Sequence, residues 1–225
     1  MNLRRAAKLP VDIAMAAMLL WMMGYPVTRG LLRHGTLGCI VIGLFVLHHL
    51  LNLSWHRTLL RGRWSRLRLL SAAADILLIA AFAFLLASSL AMAGDVFPFA
   101  PFAMPWWGRD LHYASTAWIF SLAAFHMGLH GNAFWAGLRS TSEKLLGRAW
   151  LPAAALLLAA GAASFWKTDL PEHMLLLDAA PGQPSPWLFY ARLAGAGMFW
   201  ALLARVARWL AHGPGLHPDP MENDT

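Results

Sequence analysis

Four histidines are spaced so that two helices can hold two metal centres between them. His34 and His48 are fourteen residues apart, and the same interval separates His112 from His126. In an α-helix this interval spans about 21 Å and returns the side chain to nearly the same face. Neutral imidazole is a common ligand of metal ions and of haem iron. Two such helices side by side would present one pair of imidazoles at each of two levels.

The composition places these histidines in a membrane. The chain has 225 residues, of which 59% are hydrophobic and 13% are charged, whereas soluble domains carry about 25% charged residues. Apolar runs of spanning length recur along the chain. We therefore expect an all-α fold, an integral membrane helical bundle. The six predicted transmembrane helices cover residues 10–25, 34–55, 69–93, 109–138, 150–166 and 186–210.

The basic residues indicate the orientation of these helices. Segment 56–68 carries five arginines, and further basic residues precede the first helix, follow the fourth and end the sixth. Cytoplasmic connections of membrane proteins are enriched in Lys and Arg, so we expect both termini in the cytoplasm. The membrane we expect is the bacterial inner membrane. The positive charge is then a topology signal, and no nucleic-acid partner is expected. The first apolar run lacks a small-residue cleavage site, which favours a retained helix over a signal peptide.

This topology brings the histidines together in pairs. The second and fourth helices both run from outside to inside, so His34 is level with His112 near the outer surface. His48 is then level with His126 toward the cytoplasm. The pattern predicts two haem b groups, each held between two imidazoles. Cys39 is the only cysteine and there is no C-x-x-C-H motif, so the haem would be non-covalent.

Three other residues are predicted near the haems. Arg33 and Arg109 each come shortly before an outer histidine, and a guanidinium pairs well with a haem propionate; anchoring at the membrane surface explains them equally well. His130, one turn beyond His126, is expected to contact the inner haem edge, a propionate or a quinone. His49 is expected to pack or hydrogen-bond beside the site; whether His49 or His130 replaces one of the four ligands stays open. His56 and His173 are interpreted as ordinary loop residues.

Three stretches of the sequence resemble a known family. The run LHHLLNLSWHR after a Gly-rich helix, the LHY start of the fourth helix and its FHMGLH ending resemble the flavinylation-associated cytochrome domain, formerly a domain of unknown function. The resemblance implies a four-helix, di-haem b-type membrane cytochrome that passes electrons toward flavin-bearing extracytoplasmic proteins. The paired histidine layout is more distantly similar to cytochrome b of the respiratory bc complexes. The family pattern falls on His34, His48, His112, His126 and His130.

The resemblance covers only part of the chain, residues 10–138. We therefore predict a cytochrome domain over residues 1–140, followed over 141–225 by two more transmembrane helices and a disordered tail. These added helices could shield the haem bundle, dock a partner or form a quinone site.

The predicted function is transmembrane electron transfer by an oxidoreductase subunit without a bond-making active site or catalytic residue. Electrons would pass between a membrane or cytoplasmic donor, such as a quinol, and an extracytoplasmic acceptor. Two alternatives stay open. In a haem-free transporter or channel, the intramembrane histidines would form a proton or metal relay with Asp12 and Asp75. In a membrane anchor, the histidines would only pack.

Overall fold

The part of the chain that the structure describes folds into a bundle of helices. The structure is a computed structural model, and it describes residues 3–24, 30–92, 106–177 and 185–212. These ranges contain helices and no β-strand, which confirms the all-α prediction. The predicted tail after His212 lies outside the described residues. The helices are α1 (Leu3–Met23), α2 (Leu31–Leu51), α3 (Leu53–Thr58), α4 (Arg66–Met92), α5 (Gly108–His130), α6 (Asn132–Leu146), α7 (Trp150–Trp166), α8 (Leu170–Met174) and α9 (Pro186–His212), with a 3₁₀ turn at Gly147–Ala149.

Four described stretches are long and apolar enough to cross a membrane. They are Leu31–Leu51, Arg66–Met92, Phe134–Trp166 and Pro186–His212. Helix α5 is not among them because its His, Ser, Thr and Asp side chains make it less apolar. It is nevertheless a core helix, since ten of its 23 residues are buried. A helix surrounded by other helices does not need an apolar surface all round.

The fourth predicted helix ends earlier than expected. The prediction ran to residue 138, but α5 ends at His130 and a separate helix, α6, begins at Asn132. Between them Gly131 has φ −78° and ψ 43°, and its N–H donates to the carbonyl of Met127. The apolar pattern continues past this point and gives no sign of a break. Glycine costs about 1 kcal/mol in a helix relative to alanine and so lets the chain turn here.

The second predicted helix also divides. It was expected to reach residue 55, but α2 ends at Leu51 and the short helix α3 follows. Asn52 lies between them and caps α2. Its N–H donates to the carbonyls of His48 and His49, and its side-chain amide donates to the carbonyl of His48 at 2.9 Å. Asparagine favours such local side-chain bonds over helix continuation.

The other boundaries can be compared where the structure describes them. Helix α1 begins at Leu3, upstream of the predicted start, and Pro10 lies inside it. The predicted helix began at Pro10, a position in the first turn where the missing N–H of proline is harmless. The predicted helix 150–166 agrees with α7, and α4 and α9 extend the predictions 69–93 and 186–210 by a few residues. Residues 25 and 93, the ends of two predicted helices, lie outside the described residues.

Small residues let α9 pack tightly against both α5 and α7. A Cβ atom at Gly128 of α5 would overlap the backbone oxygen of Ala201 on α9. On the α7 side, a Cβ at Gly161 would come within 2.9 Å of the oxygen of Gly195, and one at Gly195 within 2.5 Å of Ser164 Oγ. Small residues at helix interfaces allow this approach in membrane proteins. The C-terminal helices are therefore packed directly on the central helix.

The helices that carry the paired histidines meet through side chains. Helix α1 packs against α2, and α4 packs against α5. Val41 of α2, Phe82 of α4 and Ile119 of α5 form one buried cluster. Phe45 of α2 stacks on Phe82, with ring centroids 3.7 Å apart and planes 7° from parallel. An apolar layer thus lies between the level of His34 and His112 and the level of His48 and His126.

Candidate functional site

His34 of α2 lies beside His112 of α5 at the level that the predicted topology makes the outer one. It is called the outer level below, and the level of His48 and His126 is called the inner level. Their ring centroids are 6.0 Å apart and their planes meet at 63°. His112 Nδ1 also lies 3.3 Å from Ser89 Oγ of α4. Two imidazoles on opposite sides of one metal ion, with bonds of about 2 Å, would have ring centres roughly 6 Å apart. The separation of His34 and His112 is therefore compatible with one shared metal.

The inner level contains two histidine–carboxylate pairs. His48 Nδ1 of α2 donates to Asp12 Oδ1 of α1 at 2.7 Å, and His126 Nδ1 of α5 donates to Asp75 Oδ1 of α4 at 2.7 Å. An ionised carboxylate can only accept, so each Nδ1 carries the ring proton and a neutral ring keeps its lone pair on Nε2. Metal-ligating histidines almost always donate their other N–H to such a partner. Both inner histidines therefore have the tautomer suited to binding a metal through Nε2.

No protein-family model, curated protein or solved structure matches this chain. Membership of the cytochrome family that the sequence resembles therefore stays an expectation. The functional argument rests on the geometry of the histidine levels.

His49 connects the two inner pairs. Its ring lies 5.5 Å from that of His48, and it lies close enough to Asp75 and His126 for their charges to act on it. His49 Nδ1 also shares a 3.0 Å hydrogen bond with His56 Nε2 of α3. The prediction treated His56 as an ordinary loop residue, because nothing in the sequence showed that α3 would turn it back toward α2.

His130 joins the inner level through α4. Its Nε2 lies 3.6 Å from Asp75 Oδ1, and its ring centroid is 4.5 Å from that of His126. The sequence indicated no partner for His130 on the second predicted helix. Its partner in the structure is Asp75, on α4. Asp75 is only 7% exposed, and a buried carboxylate needs such donors.

Asp75, His126 and His130 together can also bind a metal ion directly. Each offers one ligand atom, and these atoms all lie within 4.8 Å of one another. Imidazole and carboxylate ligands together suit several divalent transition metals. These three residues are therefore a second candidate metal site at the inner level, besides the pair of His48 and His126.

The arginines predicted to bind propionates lie at the surface. Arg33 is exposed. Arg109 is 68% exposed, and its Nε lies 3.9 Å from the carboxylate of its neighbour Asp110. The propionate contacts stay predictions.

Sequence reasoning missed the roles of Asp12 and Ser89. Asp12 was predicted to act only in the relay alternative, and Ser89 was not singled out. A carboxylate inside an apolar helix was an available signal, because such groups seek partners within the bundle. Ser89 carried no comparable signal, since serine is common at helix interfaces in membranes.

Helix α8 covers the outer half of α5. Trp118 Nε1 donates to the carbonyl of Met174 at 3.1 Å, and the rings of Tyr113 and His173 are 5.0 Å apart. Burial raises the pKa of the Asp169 carboxyl at the start of α8, and the nearby His173 opposes that shift. His173, which we had interpreted as an ordinary loop residue, thus helps to close the bundle next to His112.

Proposed function

We propose that this chain is a membrane-embedded b-type cytochrome that carries electrons across the bilayer. The donor is a membrane or cytoplasmic reductant such as a quinol, and the acceptor is an extracytoplasmic protein that carries a flavin. The observation that supports this proposal best is the arrangement of His34, His48, His112 and His126, which occupy two levels of α2 and α5. When bound, each haem would supply a one-electron Fe(III)/Fe(II) couple.

The side-chain contacts at both levels support the proposal of haem ligation. His34 and His112 would hold the outer haem, and His48 and His126 the inner one. Nδ1 of His48 and of His126 is engaged by a carboxylate, and Nδ1 of His112 contacts a hydroxyl. These contacts orient the rings and leave Nε2 for the iron. The role of the protein is to position the imidazoles and to surround them with apolar side chains.

The layer between the levels favours electron transfer over proton transfer. It contains the side chains of Val41, Phe45, Phe82 and Ile119. A proton or a metal ion needs polar groups or water at each step across a membrane. The side chains of these four residues are apolar and cannot serve as such a step. An electron needs no ligand between its two centres.

The proposed membrane arrangement has six crossing helices. Helices α1 and α5, of 21 and 23 residues, join the four apolar stretches. At 1.5 Å per residue they are about 32 and 35 Å long, which is enough for a hydrocarbon core of about 30 Å. The arginine-rich segment before α4 then lies in the cytoplasm with both termini. The protein would act as an oxidoreductase subunit of the bacterial inner membrane.

A second candidate function is haem-free handling of a metal ion at the inner level. The observation in its favour is the group formed by Asp75, His126 and His130, whose ligand atoms lie within 4.8 Å of one another. In this candidate, a transporter or channel would take up a transition metal from the cytoplasmic side. It would leave the outer pair of His34 and His112 without a role in the first binding step.

Haem content decides between the two candidates. The protein is expressed with an adequate haem supply and purified, and a reduced-minus-oxidised spectrum is recorded together with a metal analysis. We expect a b-type spectrum and two haems per chain. A protein without a b-haem band would overturn the proposal, and a bound transition metal in that protein would establish the second candidate.

A further inference from the structure

The two histidine levels differ in the charge that contacts their ligands. At the inner level, the Nδ1 atoms of His48 and His126 each donate to a carboxylate at 2.7 Å. At the outer level, His112 Nδ1 contacts the neutral hydroxyl of Ser89 at 3.3 Å. The arginine-rich segment predicted to face the cytoplasm begins at Arg57, directly after His56 of the inner level.

We propose that Asp12 and Asp75 are positioning residues that hold the inner reduction potential below the outer one. Electrons then run downhill from the cytoplasmic side to the extracytoplasmic side. This inference rests on the proposed function, because it concerns the same two levels and adds the residues that set the order of the two reduction potentials.

The physical reason is the negative charge beside the ligand. Reduction adds one electron to the centre, and a nearby carboxylate disfavours that added charge. A carboxylate on Nδ1 also makes the imidazole a more basic ligand, which favours the oxidised metal. Coulomb interactions are stronger away from water. Asp75, with 9% of its side chain exposed, should therefore act more strongly than Asp12, with 46% exposed.

Other histidines near Asp75 act in the opposite direction when they are protonated. His130 Nε2 is 3.6 Å from Asp75 Oδ1, and His49 interacts electrostatically with both Asp75 and His126. Asp12 is on α1, and the hydrogen bond of its Oδ1 is with His48 alone among the described contacts. Changing the two aspartates separately therefore tests the effect in two different surroundings.

The two electrons that a quinol releases equal the two electrons that a flavin takes up. A quinol at the inner level gives up two electrons, one at a time, and releases two protons as it becomes the quinone. Each electron passes from the inner to the outer level. An extracytoplasmic flavin takes up the two electrons, with protons from its own side.

The test is a potentiometric titration of the purified haem protein. A His112→Ala background removes the outer haem, so that only the inner potential is measured. In that background Asp75→Asn keeps an oxygen that can accept the Nδ1 hydrogen bond and removes only the charge. We expect the ratio of reduced to oxidised haem at a fixed ambient potential to rise about tenfold, which is about 59 mV for a one-electron couple. Asp12→Asn should raise it in the same direction by less.

Two further variants complete the experiment. Glu143→Gln removes an exposed carboxylate on α6 that pairs with Arg139, and it should leave the potential unchanged. Ser89→Asp in a His126→Ala background places a carboxylate against the outer ligand and should lower the outer potential. If Asp75→Asn does not assemble with haem, Asp12→Asn and Ser89→Asp decide the question.

The possible results separate this inference from the proposed function. Absence of haem from the unaltered protein refutes the proposed function. Two bound haems whose inner potential equals or exceeds the outer one, or an inner potential that responds to neither aspartate change, refute the inference alone.

Discussion

At the scale of single residues, the chemistry depends on which ring nitrogen of each histidine is already engaged. His48 and His126 donate through Nδ1 to Asp12 and Asp75, and Nε2 then keeps the lone pair with which a neutral imidazole can bind a metal. His130 differs, because its contact with Asp75 is through Nε2 at 3.6 Å. The same residue type thus has two different roles four residues apart on one helix.

This difference gives a prediction for histidine variants. His48→Ala and His126→Ala should each reduce the haem content from two per chain to one, since the inner iron loses an axial ligand. His130→Ala should retain both haems, because in the proposed arrangement His130 contacts Asp75 and does not bind the iron. A pyridine haemochrome assay against protein concentration measures this content. His212→Ala, at the end of α9, is the matched control.

Two results would contradict the inner pairing. One is a full haem complement in both His48→Ala and His126→Ala. The other is loss of the inner haem from His130→Ala with retention in His126→Ala, which would make His130 the ligand.

At the scale of helices, the site depends on close packing around α5. Helix α4 brings Asp75 and Ser89 to it, and α9 supports it from another side through Gly128. Arg205 of α9 also donates to Asn132 Oδ1 at 3.0 Å, just beyond the Gly131 break. The C-terminal helices therefore hold the end of α5 at which the inner histidines lie.

Two glycine variants test this support. Gly128→Ala should lower the free energy of unfolding by about 1–3 kcal/mol, because its new Cβ overlaps the backbone of α9. Gly137→Ala on α6 meets no atom within 4 Å and should raise it by up to about 1 kcal/mol, since alanine favours a helix. Denaturation of the detergent-solubilised protein compares the two. Equal stability in both variants would show that the α5–α9 contact contributes little.

At the scale of the whole molecule, the basic and acidic segments determine how the bundle lies in the membrane. The arginines before α4 should face the cytoplasm, and the acidic connection between α7 and α9 should face outward. Leu176 in that connection is 65% exposed, and Arg63 in the arginine-rich segment is exposed as well. The proposed orientation places these two positions on opposite sides of the bilayer.

Cysteine labelling checks this orientation. In a Cys39→Ser background, the variant Leu176→Cys should react with a membrane-impermeant maleimide in cells whose outer membrane has been removed and whose inner membrane is intact. A cysteine at position 63 should react only after the inner membrane is permeabilised. Reaction at both positions, or the reverse order, would be incompatible with the proposed direction of electron flow.

The sequence by itself determined the helical class, the positions of most helices and the paired spacing of His34, His48, His112 and His126. It could do so because apolar length and helical period are local properties of the chain. The ends of α2 and α5 escaped prediction, since Asn52 and Gly131 break helices whose apolar pattern continues. Only the tertiary structure decided that Asp12 meets His48, that Asp75 joins His126 to His130, and that Ser89 contacts His112. These contacts cross between helices, so they depend on how each helix is rotated against its neighbours, which no local pattern records.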